Sequence, residues 1–221
     1  EDLTPAEKGR LSQAKQTVER NESFAKIIET KTILEQWRCG DDLYADIQHY
    51  AQVFEGKRFF DTVVFSRPKL RQVLSEKTDF FSRLGIMPNS HPLEVLFAVE
   101  YNQSSQRFAG YGYLFGYPDY AVRFFVQASD EEKFTGKFVE RGFISLPTVA
   151  GQNRFVYAVP KNHTENEADK DLKAKAEKIF NEYKRRRDEY IGEGKKGVVE
   201  MMRDWLCDTN GKCTITNAKF N

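Results

Sequence analysis

Between Phe108 and Phe125, eight of eighteen residues are aromatic, and Gly110, Gly112 and Gly116 punctuate them. This segment constrains the fold more tightly than any other. Rings at such density carry more apolar area than a solvated loop tolerates, so they must pack against each other or against a neighbouring element. Glycines among them allow the backbone to approach that neighbour closely. The segment is expected mid-domain, either filling a core or lining a cleft for an apolar or ring-bearing ligand. In the cleft alternative, Tyr111, Tyr113, Tyr117 and Tyr120 supply hydroxyls as polar handles, and Arg123 supplies a cation for an anionic group.

The same glycines do not form a phosphate loop. Their spacing is Gly-x-Gly-x-x-x-Gly, and large rings stand where an anion needs bare N–H groups at a helix start. No Gly-Lys-Ser/Thr occurs either, and no cofactor is expected. Charge points the same way for nucleic acid. With 34 basic and 33 acidic residues the chain carries a formal +1, so no global field draws it to a polyanion. The run Lys184-Arg185-Arg186-Arg187 lies in a stretch, 164–203, holding 11 basic against 10 acidic side chains, which reads as a solvated helix face. No uninterrupted apolar run exceeds five residues, as in Val95–Val99, far short of the ~20 a membrane-crossing helix requires.

Periodicity supports an α+β chain with helical N- and C-terminal segments around a small mixed or antiparallel sheet, read as a single domain over 1–221. The N-terminal helical segment covers 1–56. Pro5 stands in its first turn, and Leu11, Ala14 and Val18 recur at spacings of three and four. The pattern weakens at Asn21-Glu22-Ser23, resumes with Ile27, Leu34 and Trp37, and stops at Gly40. Leu43, Ile47, Tyr50 and Phe54 then predict a second helix, capped by Asp41 or Asp42 and ended by Gly56. The sheet-containing core, 57–160, offers a short strand at Phe59–Phe65, a helix ending at Gly85, an element of ambiguous type at Glu94–Tyr101, a helix after Asp119, and a hairpin of 143–146 with 154–159. The C-terminal segment, 164–221, opens on a capping box of Thr164 with Glu167. It carries a stripe of Ala168, Leu172, Ala176, Ile179, Tyr183 and Tyr190, a last helix through Trp205, and a Cys-flanked tail.

That tail bears on compartment. Cys207 and Cys213 flank Asp208-Thr209-Asn210-Gly211-Lys212, and Asn-Gly is a strong turn signal that brings the two sulfurs together. A bridge closing so short a loop is worth about 2 kcal/mol in the chain-entropy model and forms in an oxidising compartment. Opening at Glu1 without Met agrees with a mature secreted or periplasmic chain. Sequons at Asn21, Asn102 and Asn162 add mild support for secretion. Zinc is a poor alternative, because a lone Cys-x5-Cys pair lacks two ligands. Cys39 reads as a half-buried small residue.

No compact catalytic motif is present: Gly-x-Ser-x-Gly, His-Glu-x-x-His and an EF-hand loop are all missing. The enzyme alternative is a hydrolase with a dispersed site including His91 and Glu94, or Cys39 as a thiol. Glu94 with Glu100 is a further carboxylate pair, and His163 heads an acidic cluster whose charges suit a helix N-terminus without any metal. The expected function is therefore binding of a small ligand or protein partner through the aromatic segment.

Overall fold

The computed structural model describes residues 4–35, 42–149 and 155–207. It is α+β, with two separate two-stranded antiparallel sheets and helices at both ends. Helix α1 (Pro5–Glu35) opens on a capping box in which Glu7 N donates to Thr4 Oγ1 and Thr4 N donates to Glu7 Oε2 at 2.8 Å. It runs unbroken through Asn21-Glu22-Ser23. Ser23 Oγ donates to Glu19 O at 2.8 Å, back-bonding to its own helix rather than ending it.

The second helix expected over 41–56 is instead strand β1 (Leu43–Phe54), paired with β2 (Lys57–Ser66). Glu55 and Gly56 make the connecting turn, with φ of 49° and 73°, the two positive values of a type I′ hairpin. The helical spacing of Leu43, Ile47, Tyr50 and Phe54 misleads because β1 is buried on both faces through Gln48, and one of those faces is polar. Ala45 and Ile47 pack on Leu34 and Ile27 of α1, while Asp46 and Gln48 are also buried. An apolar/polar alternation is the usual mark of a strand with one wet face. Here the polar side is dry and internally bonded: Tyr44 Oη donates to Asp46 Oδ2 at 2.8 Å, and Gln48 Nε2 donates to Tyr111 Oη.

Helices α2 (Arg67–Glu76) and α3 (Thr78–Phe81) lead into a 3-10 turn, Ser82–Leu84, closed by Gly85 at φ 77°. The ambiguous element is helix α4 (Pro92–Glu100), and the aromatic segment is divided between α5 (Ser104–Leu114) and α6 (Asp119–Thr135). The main core forms where α2–α5 meet, around Leu74, Phe81, Val95 and Val99. Strands β3 (Arg141–Ser145) and β4 (Val156–Pro160) form the expected hairpin, as a sheet of its own. A second core joins this sheet to Ala121 of α6 and to Leu172 and Ala176 of α7 (Glu167–Tyr190).

Helix α7 is capped two residues later than expected: Asn166 and Asp169 form the box in place of Thr164 and Glu167. Its expected stripe holds at Leu172, Ala176 and Tyr190 but not at Ile179, which is 49% exposed, while Glu182 and Arg186 are buried as an ion pair at 2.7 Å. The basic run is thus not wholly a solvated face. Arg186 lies over Trp205 of α8 (Val198–Leu206), and Arg185 and Arg187 pair with Glu182 and Asp188.

Two glycines set the spacing of α4, α5 and α6. A Cβ at Gly110 would fall 2.8 Å from both methyls of Val99, and one at Gly112 would fall 2.7 Å from a methyl of Val122. Gly112→Ala is expected to destabilise the fold by about 1–3 kcal/mol through overpacking, measured by urea unfolding. Adding Val122→Ala should recover part of that loss; an additive loss would show that the contact is not the cause.

Candidate functional site

The β1–β2 hairpin and α5 enclose the candidate site. Between His49 and Val53 the hairpin register shifts, a bulge that turns a backbone amide away from the ladder. Ala51 N in this bulge donates to Glu100 Oε1 at 2.8 Å. Glu100 is 4% exposed and ends α4, and its Oε2 accepts from Tyr111 Oη at 2.6 Å. Gln48 closes the network on the other side of the Tyr111 hydroxyl, and Arg107 Nη1 stands 3.9 Å from Glu100. Three elements, β1, α4 and α5, therefore meet at one phenol.

Two adjoining hollows, of about 520 and 680 Å³, open on either side of this network and share Tyr50, Asp61 and Tyr111. The smaller runs between β2 and the α2–α5 surface past Phe65, Val73 and Phe115; the larger lies under the hairpin tip among Phe54, Phe59, Phe60 and Phe108. Phe54, Phe59, Phe60 and Phe115 are each more than two-fifths exposed, so this trough presents rings to solvent. Lys69 borders the smaller hollow and Arg107 the larger.

Burial, followed by the hydrogen bond to Glu100, pushes the Tyr111 phenol far above its ordinary value of 10. Tyr50 is raised too, first by burial and then by Asp61. Both phenols stay protonated at any physiological pH. Tyr111 donates its one O–H to Glu100 and accepts from Gln48, so its hydroxyl is held in place as an acceptor.

The other tyrosines of the aromatic segment lie elsewhere. Tyr113 packs in the main core, its ring centroid 5.2 Å from that of Phe80, with Lys77 Nζ 5.3 Å over it. Tyr117 packs on Phe155 and Tyr157 at 5.3 and 5.4 Å. Tyr120 stacks on His163 at 5.0 Å and donates to Asp169. Arg123 is exposed on α6, 4.0 Å from Asp119. Of the five residues singled out in the sequence, only Tyr111 lines either hollow. Gln48, Tyr50 and Phe60, which sequence reasoning missed as site residues, come from a hairpin whose polar inner face hid it, while Glu100, singled out there as a pair with Glu94, instead partners Tyr111 and the bulge.

The hydrolase residues are similarly placed. His91 is the N-cap of α4, its Nδ1 accepting from Leu93 N at 3.3 Å, while Glu94 Oε2 accepts from His91 N at 3.3 Å. Their proximity is a reciprocal capping box. Glu100 lies in the same helix but bonds the bulge and Tyr111. Cys39 and Cys213 lie outside the described residues, and Cys207 is buried just beyond α8. Among the described residues, no group of three or more His, Cys, Asp or Glu side chains is placed to hold a metal ion, and no helix is long and apolar enough to cross a membrane. No protein-family model, no curated protein and no solved structure matches the chain.

A second polar cluster serves stability. Asp169 is fully buried, and its Oδ1 accepts from Tyr120 and from Tyr157 at 2.6 Å. Its Oδ2 lies 2.7 Å from His163 Nε2 and accepts from Asn166 N at 2.9 Å. Burial alone would raise the carboxyl pKa; these hydrogen bonds outweigh it and lower the value from 3.8 to about 2. A depressed folded-state pKa contributes stability that is present above about pH 4 and lost as pH falls towards 2. Asp169→Ala strands two phenol donors, the buried Tyr157 and the half-buried Tyr120, and is expected to cost about 2–4 kcal/mol at pH 7. Urea midpoints should show this cost shrinking between pH 4 and pH 2; a difference independent of pH would remove the linkage.

Proposed function

We propose that this chain is a secreted or periplasmic binding protein that holds an apolar, ring-bearing ligand in the trough between the β1–β2 hairpin and α5, without chemical turnover. One observation carries the binding reading. Exposed rings surround two adjoining hollows of about 520 and 680 Å³, and Tyr111, the phenol fixed by Glu100 and Gln48, lines both. Hollows of this size suit small-molecule sites, which are mostly apolar with a few placed polar groups. The polar groups are Tyr111 and Gln48, fixed by Glu100, with Lys69 and Arg107 at the border for a ligand bearing negative charge. A phenol held protonated suits recognition better than acid–base chemistry.

The naphthalene sulfonate dye ANS has that chemistry and tests the site by its fluorescence. Saturable binding is expected, and Phe60→Ala and Phe108→Ala should each weaken it by about 1–2 kcal/mol, roughly five- to thirtyfold. Phe134→Ala, at a ring 93% exposed on α6, should leave binding unchanged. Equal affinities for all three variants would overturn the placement.

The compartment rests on the bridge proposed between Cys207 and Cys213. Alkylation of unreduced, denatured protein followed by intact mass should add one label, at Cys39. Three labels in freshly purified native material would exclude the bridge, and with it the argument for an oxidising compartment.

A further inference from the structure

Helix α1 is an arm. It spans 31 residues, about 46 Å at helical rise, and every residue from Thr4 to Lys26 is exposed. Among the described residues, only its last turns rest on the molecule, through Ile27 and Leu34 against Ala45 and Ile47. A helix normally draws most of its stability from packing an apolar face, and six turns of this one have nothing to pack on among the described residues.

The arm carries a seam. Leu11, Ala14, Val18, Asn21, Ala25 and Ile28 follow the 3-4-3-4-3 spacing of alternating heptad a and d positions, and five of the six are apolar. All six are exposed, with Leu11, Val18 and Ile28 at 55%, 56% and 52%. Ile27 and Leu34, which hold the arm to the body, occupy heptad position c on the far side of the helix, leaving the seam clear.

We propose that the occupant of this seam is a second copy of the chain, paired antiparallel through α1. Placing Leu11 opposite Ile28 of the second copy also sets Ala14 opposite Ala25 and Val18 opposite Asn21. The two Asn21 side chains then flank the dyad about 4.5 Å apart along the axis, close enough to satisfy each other. The flanking e positions are Lys8, Lys15, Glu22 and Glu29. In this register Lys8 meets Glu29 and Lys15 meets Glu22, twice over by symmetry, giving four complementary pairs. On the g side Arg10 meets Lys31, but Lys31 already lies 3.7 Å from Asp46 of its own chain. A parallel pair has no such match: it sets Arg10 against Lys15, Thr17 against Glu22 and Phe24 against Glu29. Charge therefore selects both the partner and the direction.

Sedimentation velocity on the full chain tests this independently of the ligand trough. At about 100 µM the chain should sediment at twice its 25.7 kDa. Val18→Asp should give a monomer whose thermal midpoint and near-UV spectrum report an intact body, since Val18 is exposed in the single chain. Lys15→Glu should raise the dissociation constant roughly tenfold, and adding Glu22→Lys should restore it. A monomer at that concentration, a dimer indifferent to Val18→Asp, or a dimer tightened by Lys15→Glu would each overturn the antiparallel seam, the last by indicating parallel pairing.

Discussion

Helix α5 lies against α4 and α6 at separations that only glycine permits. Val99 and Val122 occupy the space that side chains at positions 110 and 112 would need, so each glycine acts as a socket for a valine on a neighbouring helix. Close approach has a consequence for every ring on α5. With two positions of the helix pressed against its neighbours, the remaining side chains fan out in fixed directions. Tyr113 is sent into the main core, and Tyr111 is sent towards the hairpin. Of the glycines compared with a phosphate loop in sequence, Gly110 and Gly112 are packing devices in space, and Gly116 is a left-handed turn residue, with φ 73°.

From that arrangement follows the polar centre of the candidate site. Tyr111 reaches Glu100 at the end of α4 and Gln48 on the inner face of β1, while Glu100 also holds the amide freed by the hairpin bulge. A buried carboxyl group is costly unless its oxygens are bonded. Here both are bonded by groups from different elements, which ties α4, α5 and the hairpin into one unit. The rings of the hairpin tip stay outside this satisfied network and remain exposed, so the trough is apolar at its edges and fixed at its middle.

The Asp169 cluster repeats the same physics with a different result. Tyr120 from α6, Tyr157 from β4 and His163 from the following loop all meet one carboxyl group at the start of α7. It is fully buried and surrounded by packed rings, and it clamps the second core together. The aromatic segment thus serves two cores with one stretch of chain, and only part of it contributes to the candidate site.

The sequence by itself determined the helical ends, the β3–β4 hairpin and the stop at Gly85, because each rests on local signals: periodicity, caps and turn residues. It also determined that the rings of 108–125 must be packed. Tertiary structure alone decided that 43–54 is a strand, because its inner polar residues, Asp46 and Gln48, find buried partners that no local pattern announces. Tertiary structure likewise separated Tyr111 from Tyr117 and Tyr120, since the direction in which a ring points depends on which neighbouring helix its glycines admit. Contacts between residues dozens of positions apart set those directions, and a single chain read in order does not contain them.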